Sequence, residues 1–541
     1  MGTRAGLSDA LLRGPAGLVL ALVVFCGLAL ASLGDDTFLH DEGLLTHLFA
    51  WVTARDPAAG LFLQKSRPPI SALYAPFAGS LDGFFVAHTL VGAVGVAALW
   101  LAARASDHRA PLVAALVLAL SPLYIGGSVA GLSNTDVVAG LCIFAWLYVS
   151  DRHVAAAVVL GMLPWIRAEV AVLVPIVAVA AAQERHWRVL AALPAFGAMY
   201  GVAGIAYHHD PIWFLHYPPA LPEPMPGNPF WASHSGAASL SDIVTTAVAL
   251  TPLLPALGLM RWSSLGRLER IGLVFVASFA LALVVLPQWR VFNFDQSPRY
   301  LLPVVPFAAL ALSRAVGPWV DREGPPGRFS LLVLAALAGA ALAGAMDGRH
   351  PTGLAAVGWT ALALALHRAG HARAALGTLG LLAALGPFAF GDGGRIDRRS
   401  TAPHLDPMID RLAETVGDKR KVVYTNEPLL ASALQRSGRL PNVTVLYIVQ
   451  EDQRFELERL ANPHVGQREA LWAAMEGNAY GRPIRPDALR PDAVPVGAVF
   501  ALTKDERLPM VLPPEVWDEL LEVVHPGYGM RIAVRVDGGA S

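Results

Sequence analysis

Long apolar runs recur through the first 391 residues and constrain this chain more than any other feature. A helix that crosses the hydrocarbon core of a bilayer needs about 20 consecutive apolar residues. By that measure the sequence predicts about thirteen transmembrane helices, centred near residues 25, 92, 119, 142, 160, 175, 198, 251, 279, 308, 338, 360 and 382. The predicted fold class is therefore a polytopic α-helical membrane protein.

The overall composition agrees with a membrane protein. Only 15% of the 541 residues are charged, whereas a soluble domain carries about 25%. The net charge of −1 gives no bulk attraction to nucleic acid, so none is expected as a partner. Cys26 and Cys142 both lie in apolar runs, which argues against a disulfide framework or a zinc site.

The distribution of arginine and lysine predicts the orientation of the chain. Loops assigned to the inner side are the richer in arginine, with Arg104, Arg109, Arg152, Arg185, Arg188, Arg261, Arg267, Arg270, Arg314, Arg322, Arg328, Arg368 and Arg373. An inner N-terminus and thirteen crossings place everything after Gly391 outside. We expect a multi-pass membrane protein with a transmembrane domain over residues 1–391.

The tail, residues 392–541, carries charges and prolines throughout and is predicted to be a soluble α/β domain outside the membrane. Predicted strands begin at Lys421, Val443, Val496 and Met530, and helices are predicted over Pro428–Ser437 and Gln467–Met475. No glycine-rich phosphate loop and no nucleophile elbow occurs in this sequence.

The first outer loop, Gly34–Pro69, holds the densest group of candidate site residues. Acidic residues come first, then an amphipathic segment that could lie on the membrane surface, then two basic residues: Asp35, Asp36, Asp41, Glu42, Lys65 and Arg67. A carboxylate can accept a proton or hold a metal, and a cation at the interface can hold a lipid phosphate. We therefore interpret this loop as half of an active site; the alternative is a solvated loop start.

Two further candidates fall in later loops. Asp136 follows Ser133-Asn134-Thr135 on the same predicted side as Asp41, so the two carboxylates could form an acid–base pair or a cation site. The alternative is that Ser133 or Thr135 caps the next helix. Arg167 and Glu169 lie between two apolar runs, where charge is usually functional or paired; the alternative is a mutual ion pair.

Arg299 and Tyr300 lead from an outer loop into a late span. The planar guanidinium fork of Arg299 suits a phosphate, although Trp, Tyr and Arg also serve as plain interface anchors. The loop from His208 to Ser241 holds several histidines and aromatic residues. Its many prolines and irregular spacing favour a covering loop over a metal site.

Together these residues resemble the GT-C superfamily of integral-membrane glycosyltransferases, in the branch of lipid A aminoarabinose transferase and protein O-mannosyltransferases. The matching motifs are Asp41-Glu42, Lys65-Ser-Arg-Pro-Pro, Asp136 and Arg299-Tyr-Leu-Leu-Pro-Val-Val-Pro. Their order and sidedness carry the resemblance, because each motif is short. In the family, lysine often stands directly before Pro-Pro, where this chain has Arg67.

The resemblance implies a sugar donor carried on a polyprenyl phosphate and a single inverting displacement. Asp41 would act as general base, with Glu42, Asp35 and Asp36 beside it, and Asp136 would be the second-loop acid. Lys65 or Arg67, with Arg299 and Tyr300, would hold the donor phosphate. Some members use a divalent cation such as magnesium or manganese, for which Asp41 and Asp136 would be the candidate ligands.

The acceptor would be an envelope glycan, lipid or protein. Two other classes of function compete with an enzyme. A transporter or flippase for a lipid-linked glycan would show repeat symmetry and broken helices near the middle of the membrane, whereas the ionisable residues here gather at one face. A catalytically inactive relative would act as a membrane scaffold through its tail.

Overall fold

The computed structural model describes residues 12–32, 41–63, 66–217, 263, 265–288, 298–320, 362, 365, 405–417, 420–426, 430–431, 434, 440, 442–448, 461–475, 482–484, 489, 494–503, 520–524 and 530–535. The N-terminal helices are α1 (Pro15–Ser32), α2 (Asp41–Arg55), α3 (Pro57–Leu61), α4 (Pro68–Tyr74), α5 (Leu81–Ala105), α6 (Pro111–Ala119), α7 (Pro122–Ala130), α8 (Ser133–Val149), α9 (His153–Met162), α10 (Leu173–Gln183), α11 (Trp187–Ala192), α12 (Ala195–His208), α13 (Trp213–His216), α14 (Arg267–Gln288) and α15 (Val305–Val320). Short 3-10 helices cover Ala75–Phe77, Leu163–Trp165, Ala168–Val172 and Pro298–Val304.

Among the described residues three helices are long and apolar enough to cross a membrane: Pro15–Ser32, Leu81–Ala105 and Trp187–His208. A bent pair of shorter helices raises this number to four if it counts as one span. Shorter apolar helices coincide with the predicted spans near residues 142, 160 and 175. The spans predicted near 251, 338, 360 and 382 fall outside the described residues, apart from residues 362 and 365, so the number thirteen stays a prediction.

Large apolar side chains project outward from these helices. Val19, Val23 and Leu30 on α1 and Leu90 on α5 are each more than half exposed. Such apolar side chains suit contact with lipid tails. The backbone of these helices also suits the membrane, because a helix satisfies its backbone hydrogen bonds within itself. Helix α5 packs against both α1 and α8, and a hydrogen bond from the Tyr124 hydroxyl to the Gly92 carbonyl (2.9 Å) joins α7 to α5.

The span predicted near residue 119 coincides with two short helices, α6 and α7, that meet at a bend. Helix α6 ends at Ala119, and the following helix turns by 57°. Ser121 has extended backbone (φ −69°, ψ 112°) because the ring of Pro122 disfavours helical geometry in the preceding residue. The bend directs α7 toward the turn that begins α8.

A buried charged cluster joins helices at the end of the bundle opposite the start of α8. Glu269 of α14 accepts a hydrogen bond from Arg314 of α15 (2.9 Å) and lies 2.7 Å from Nε2 of His108, in the α5–α6 turn. Arg314 also donates to the Ser106 carbonyl (2.8 Å). Burial lowers the pKa of His108. These contacts close the bundle away from the candidate site.

The tail contains helix α16 (Leu405–Val416), helix α17 (Gln467–Met475) and a six-stranded sheet. The strands are β1 (Lys421–Thr425), β2 (Val443–Ile448), β3 (Arg482–Ile484), β4 (Val499–Thr503), β5 (Leu520–Val524) and β6 (Met530–Arg535), in the order β3-β2-β1-β4-β6-β5. Strands β1 to β4 pair in parallel, and β6 is antiparallel to both β4 and β5.

Four of these strands and helix α17 lie where the sequence predicts them, although the strand predicted from Val496 begins at Val499. Strands β3 and β5 were not predicted. The helix predicted over Pro428–Ser437 lies largely outside the described residues, with Leu430, Ala431 and Leu434 helical. The predicted domain boundary at residue 391 also lies outside them and stays a prediction.

Candidate active site

The first turn of α2, which begins at Asp41, lies directly against the turn between α7 and α8. A Cβ atom placed on Gly43 would be 2.1 Å from the carbonyl oxygen of Ala130 and 3.3 Å from Gly131. Only glycine allows so close an approach of two backbones. The start of the first-loop helix and the approach to Asp136 therefore meet at one place.

Helix α2 itself is buried rather than lying on a membrane surface, so that prediction is wrong. Eight consecutive residues from Thr46 to Thr53 are buried, because α4 covers one side of the helix and the tail helix α17 another. Burial lowers the pKa of His47 to about 4, so the ring is neutral at pH 7. Its Nε2–H donates to the carbonyl of Ala78 (3.0 Å), which fixes the tautomer.

Asp136, in the first turn of α8, is 4% exposed and both of its carboxylate oxygens are engaged. The Tyr74 hydroxyl donates to Oδ1, and Nε2 of His88 lies 3.2 Å from Oδ2. Burial, and then the charge of Asp136, raise the pKa of Tyr74 well above its ordinary value. The other ring nitrogen of His88, Nδ1, forms a hydrogen bond with the Ser128 carbonyl (2.7 Å). We call Tyr74, His88, Asp136 and the Ser128 carbonyl the Asp136 network.

The sequence did not identify Tyr74 or His88. His88 could have been found, because an ionisable residue inside an apolar span usually has a buried partner. Tyr74 gives no such indication, since a tyrosine at a helix end near the interface is ordinary. The catalytic role predicted for Asp136 stays a prediction; its burial and its two contacts favour a positioning role.

Residues before Asp136 bind the late segment of the chain. Helix α8 begins at Ser133 with Leu132 as its cap, so the predicted capping by Ser133 or Thr135 is wrong. Asn134 instead donates from Nδ2 to the backbone carbonyl of Arg299 (3.0 Å). The structure therefore joins the second loop to the Arg299-Tyr300 segment, 165 residues later in the chain.

Arg167 completes this junction. It pairs with Glu169, as the ion-pair alternative predicts, and its NH1 group also donates to Asn134 (3.2 Å) and Ser133 (3.3 Å). The guanidinium groups of Arg167 and Arg299 both lie against the ring of Tyr300, at 5.1 and 5.5 Å from its centre. Tyr300 therefore brings two guanidinium groups to one place beside the start of α8.

The first-loop cations are placed in part. Arg67 directly precedes α4 and its side chain donates to the Thr46 hydroxyl of α2 (3.1 Å), so it lies against the first-loop helix. Lys65, Asp35 and Asp36 lie outside the described residues. Asp41 and Glu42 form the first turn of α2, and their side chains are likewise outside the described part of the chain.

An aromatic group lies beyond this region, between α3 and the helices that follow α10. Phe62 stacks on Tyr200 and Tyr207, and the edge of Trp213 meets both Phe62 and Tyr200. The Tyr200 hydroxyl donates to the Leu61 carbonyl (2.6 Å). Most of the covering loop predicted from His208 to Ser241 lies outside the described residues.

Hydrogen bonds between described residues fasten the tail to this part of the bundle. Trp51 of α2 donates to the carbonyl of Ala474, and Gln467 donates to the carbonyl of Ala59 (2.8 Å). Asn462 lies 3.0 Å from Nδ1 of His208. The helix that bears Asp41 is thus held between the membrane helices and the tail.

We expect Gln467→Ala to loosen this attachment. Gln467 is 1% exposed and bonds both the Ala59 carbonyl and the Asn462 amide, so its truncation leaves two buried backbone groups unpaired. The substitution should lower the free energy that holds the tail to the bundle by about 1–3 kcal/mol. Hydrogen exchange should rise in peptides covering α2 and α3. Glu469→Ala, an exposed change in the same helix, is the control and should leave exchange unchanged; equal protection in both variants would contradict this role.

The residues fit a metal poorly where the structure describes them. Within the described ranges no group of three or more His, Cys, Asp or Glu side chains is placed to hold a metal ion. Asp136, one predicted ligand, is surrounded by hydrogen-bond partners. A magnesium or manganese site on Asp41 stays a prediction, because the side chain of Asp41 is outside the described residues.

Comparison with known proteins gives a structural match. Neither family models nor curated protein sequences match this chain. A crystal structure of ArnT from Cupriavidus metallidurans bound to undecaprenyl phosphate superposes with a TM-score of 0.52 at 12% identity, covering 97% of this chain and 99% of that one. This chain has the fold of ArnT. The apo structure of the same enzyme gives a TM-score of 0.52 at 14% identity, covering 96% and 97% of the two chains.

The match extends over the bundle and the tail together, so the ArnT fold includes both parts of this chain. The two chains share this fold although only 12% of the aligned residues are identical.

Proposed function

We propose that this protein is a glycosyltransferase that moves a sugar from a polyprenyl-phosphate donor to an envelope acceptor at the outer face of a bacterial inner membrane. One observation carries the proposal. Within a fold shared with ArnT, the start of α2, the start of α8 and the Arg299-Tyr300 segment converge on one place.

The proposed reaction is a single displacement at the anomeric carbon. Asp41 takes the proton of the acceptor hydroxyl, whose oxygen bonds to the sugar with inversion. The bond between the sugar and the phosphate oxygen breaks, and its electron pair leaves with the lipid phosphate. Arg299, with Arg67 or Lys65, stabilises that charge, because guanidinium groups donate parallel hydrogen bonds to phosphate.

The other residues position these groups. Asn134 holds the backbone of Arg299, and Arg167 lies against the ring of the neighbouring Tyr300. The Asp136 network fixes α8 against α4 and α5. The ArnT crystal structure contains undecaprenyl phosphate, which supports a lipid phosphate as the leaving group here. Asp35, Asp36 and Glu42 remain further acids of the first loop.

We expect Asp41→Asn and Arg299→Ala each to slow sugar transfer at least about 100-fold while leaving the protein folded. Loss of the base should lower the rate about 10²–10⁴-fold, and loss of the phosphate contact about 10²–10³-fold. The assay supplies purified protein with radiolabelled polyprenyl-phosphate sugars and a membrane extract, and identifies the extract component that becomes labelled.

Matched controls are Asp82→Asn, an exposed acid at the start of α5, and Arg411→Ala, an exposed arginine of the tail. Both should retain transfer. If the wild type labels no acceptor but carries labelled lipid across vesicle membranes, the protein is a transporter. If Asp41→Asn keeps full transfer, the proposed base is wrong.

A further inference from the structure

A basic cleft lies at the end of the bundle opposite the candidate active site. Its cavity of about 560 Å³ is lined by two short segments, Asp151–Ala155 and Arg185–Val189. Helix α8 separates the two sites: Asp136 lies in its first turn, and Ser150 caps its other end. Its 17 residues span about 25 Å at 1.5 Å per residue, so the cleft faces the other leaflet.

The cleft is built from two turns of the same form. Asp151 and Arg185 have left-handed backbone, with φ of 58° and 60°. Each follows a helix end, and the next amide reaches back to the helix: Arg152 N–H to the Leu147 carbonyl (3.0 Å) and His186 N–H to the Ala181 carbonyl (2.9 Å). Turns closed in this way are well defined, so they hold Arg152 and Arg185 on the wall of one cavity.

Positive charge exceeds negative charge in this cleft. The lining includes the arginines Arg152, Arg185 and Arg188, and His153 and His186 stack with ring centres 5.4 Å apart. Of the facing carboxylates, Glu184 pairs with Arg267 and lies 3.4 Å from His186. Asp151 is 95% exposed and lies 3.6 Å from His153. Within the described part of the chain none of the three arginines is paired with a carboxylate.

Apolar surface borders these charges. Trp187 is 66% exposed and Val154 is 46% exposed, both on the cavity wall. A tryptophan beside arginines at a helix end is typical of the headgroup level of a bilayer. The cleft therefore combines an anion-binding wall with a side chain suited to the boundary between headgroups and acyl chains.

We propose that this cleft binds the phosphate headgroup of an anionic phospholipid in the leaflet opposite the candidate active site. Guanidinium groups donate paired hydrogen bonds to phosphate, and their charge selects anionic over zwitterionic lipid. The volume is within the range of small-ligand pockets, about 300–1,000 Å³. The bound lipid would fasten the α8–α9 and α10–α11 turns, which support the helices that carry Asp136 and Arg167 at their other ends.

The test is native mass spectrometry of the purified full-length protein titrated with phosphatidylglycerol or with phosphatidylcholine. We expect phosphatidylglycerol to bind more tightly, and Arg152→Gln/Arg188→Gln to weaken it about 5- to 30-fold, since two cations near the lipid are removed. Arg411→Gln/Arg420→Gln removes the same charge from the tail and should bind as the wild type does.

Three results would overturn the proposal. The two lipids could bind equally, the two double variants could weaken binding equally, or inorganic phosphate could displace the lipid completely at low concentration. The last result would identify free phosphate as the ligand. Thermal unfolding of both double variants in detergent checks that each is folded, because these arginines are exposed and their loss should not affect the core.

Discussion

Replacing Gly43 with alanine is expected to lower sugar transfer at least about 100-fold. The new Cβ would lie 2.1 Å from the Ala130 carbonyl oxygen, and that atom belongs to backbone, so no side-chain rotation relieves the overlap. The first turn of α2 must move away from the start of α8, and Asp41 moves with it. A displacement of about 1 Å is enough for such a loss. The measurement is the transfer assay together with thermal unfolding.

Gly27→Ala in α1 is the matched control, since a Cβ there meets nothing within 4 Å. The same substitution should leave transfer unchanged and raise the free energy of unfolding by about 0.5–1 kcal/mol, because alanine is the better helix former. If Gly43→Ala transferred sugar at the wild-type rate, α2 and the α7–α8 turn would not be in contact, and the convergence that supports the proposed function would be absent.

The sequence predicted which segments of the chain meet better than it predicted the contacts that hold them together. Acid in two outer loops and Arg299-Tyr300 in a third were predicted from residue type and sidedness, and the structure joins the second loop to the third through Asn134 and Arg299. The partners of Asp136 were missed because Tyr74 and His88 come from other helices. Contacts of that kind depend on how helices pack, which hydrophobic periodicity does not determine.

Local chemistry explains the differences in the fold. The apolar run near residue 119 is long enough for one span, but Pro122 lies near the middle of that run and ends the first helix there. Strand β3 has only three residues, and one of them is Pro483. A short run with a central proline does not predict a strand. Helix α2 looked like a surface helix because its apolar residues are spaced for one, whereas the tail helix that covers it lies more than 400 residues away in sequence.

Asp136→Ala is expected to destabilise the protein by about 3–5 kcal/mol, the usual cost of removing one partner of a buried charged pair. The Ser128 carbonyl accepts only, so Nδ1 of His88 carries a proton. Nε2 of His88 lies 3.2 Å from the Asp136 carboxylate. Because both atoms accept hydrogen bonds when they are unprotonated, a second proton must lie between them. Alanine removes the carboxylate that shares this proton and also leaves the Tyr74 hydroxyl without its acceptor. Thermal unfolding in detergent measures the loss.

Asp136→Asn separates the hydrogen bonds from the charge. Its amide NH₂ can donate to a neutral Nε2 of His88 while its oxygen still accepts from Tyr74, so every partner stays satisfied. We expect the free energy of unfolding of the asparagine variant to lie within about 1 kcal/mol of the wild-type value. It should be well above that of the alanine variant. If the two variants were equally stable, the contacts of Asp136 would contribute nothing to holding α8 against α4 and α5. Asp136 would then lose the positioning role, and its carboxylate would have to be explained by the reaction itself.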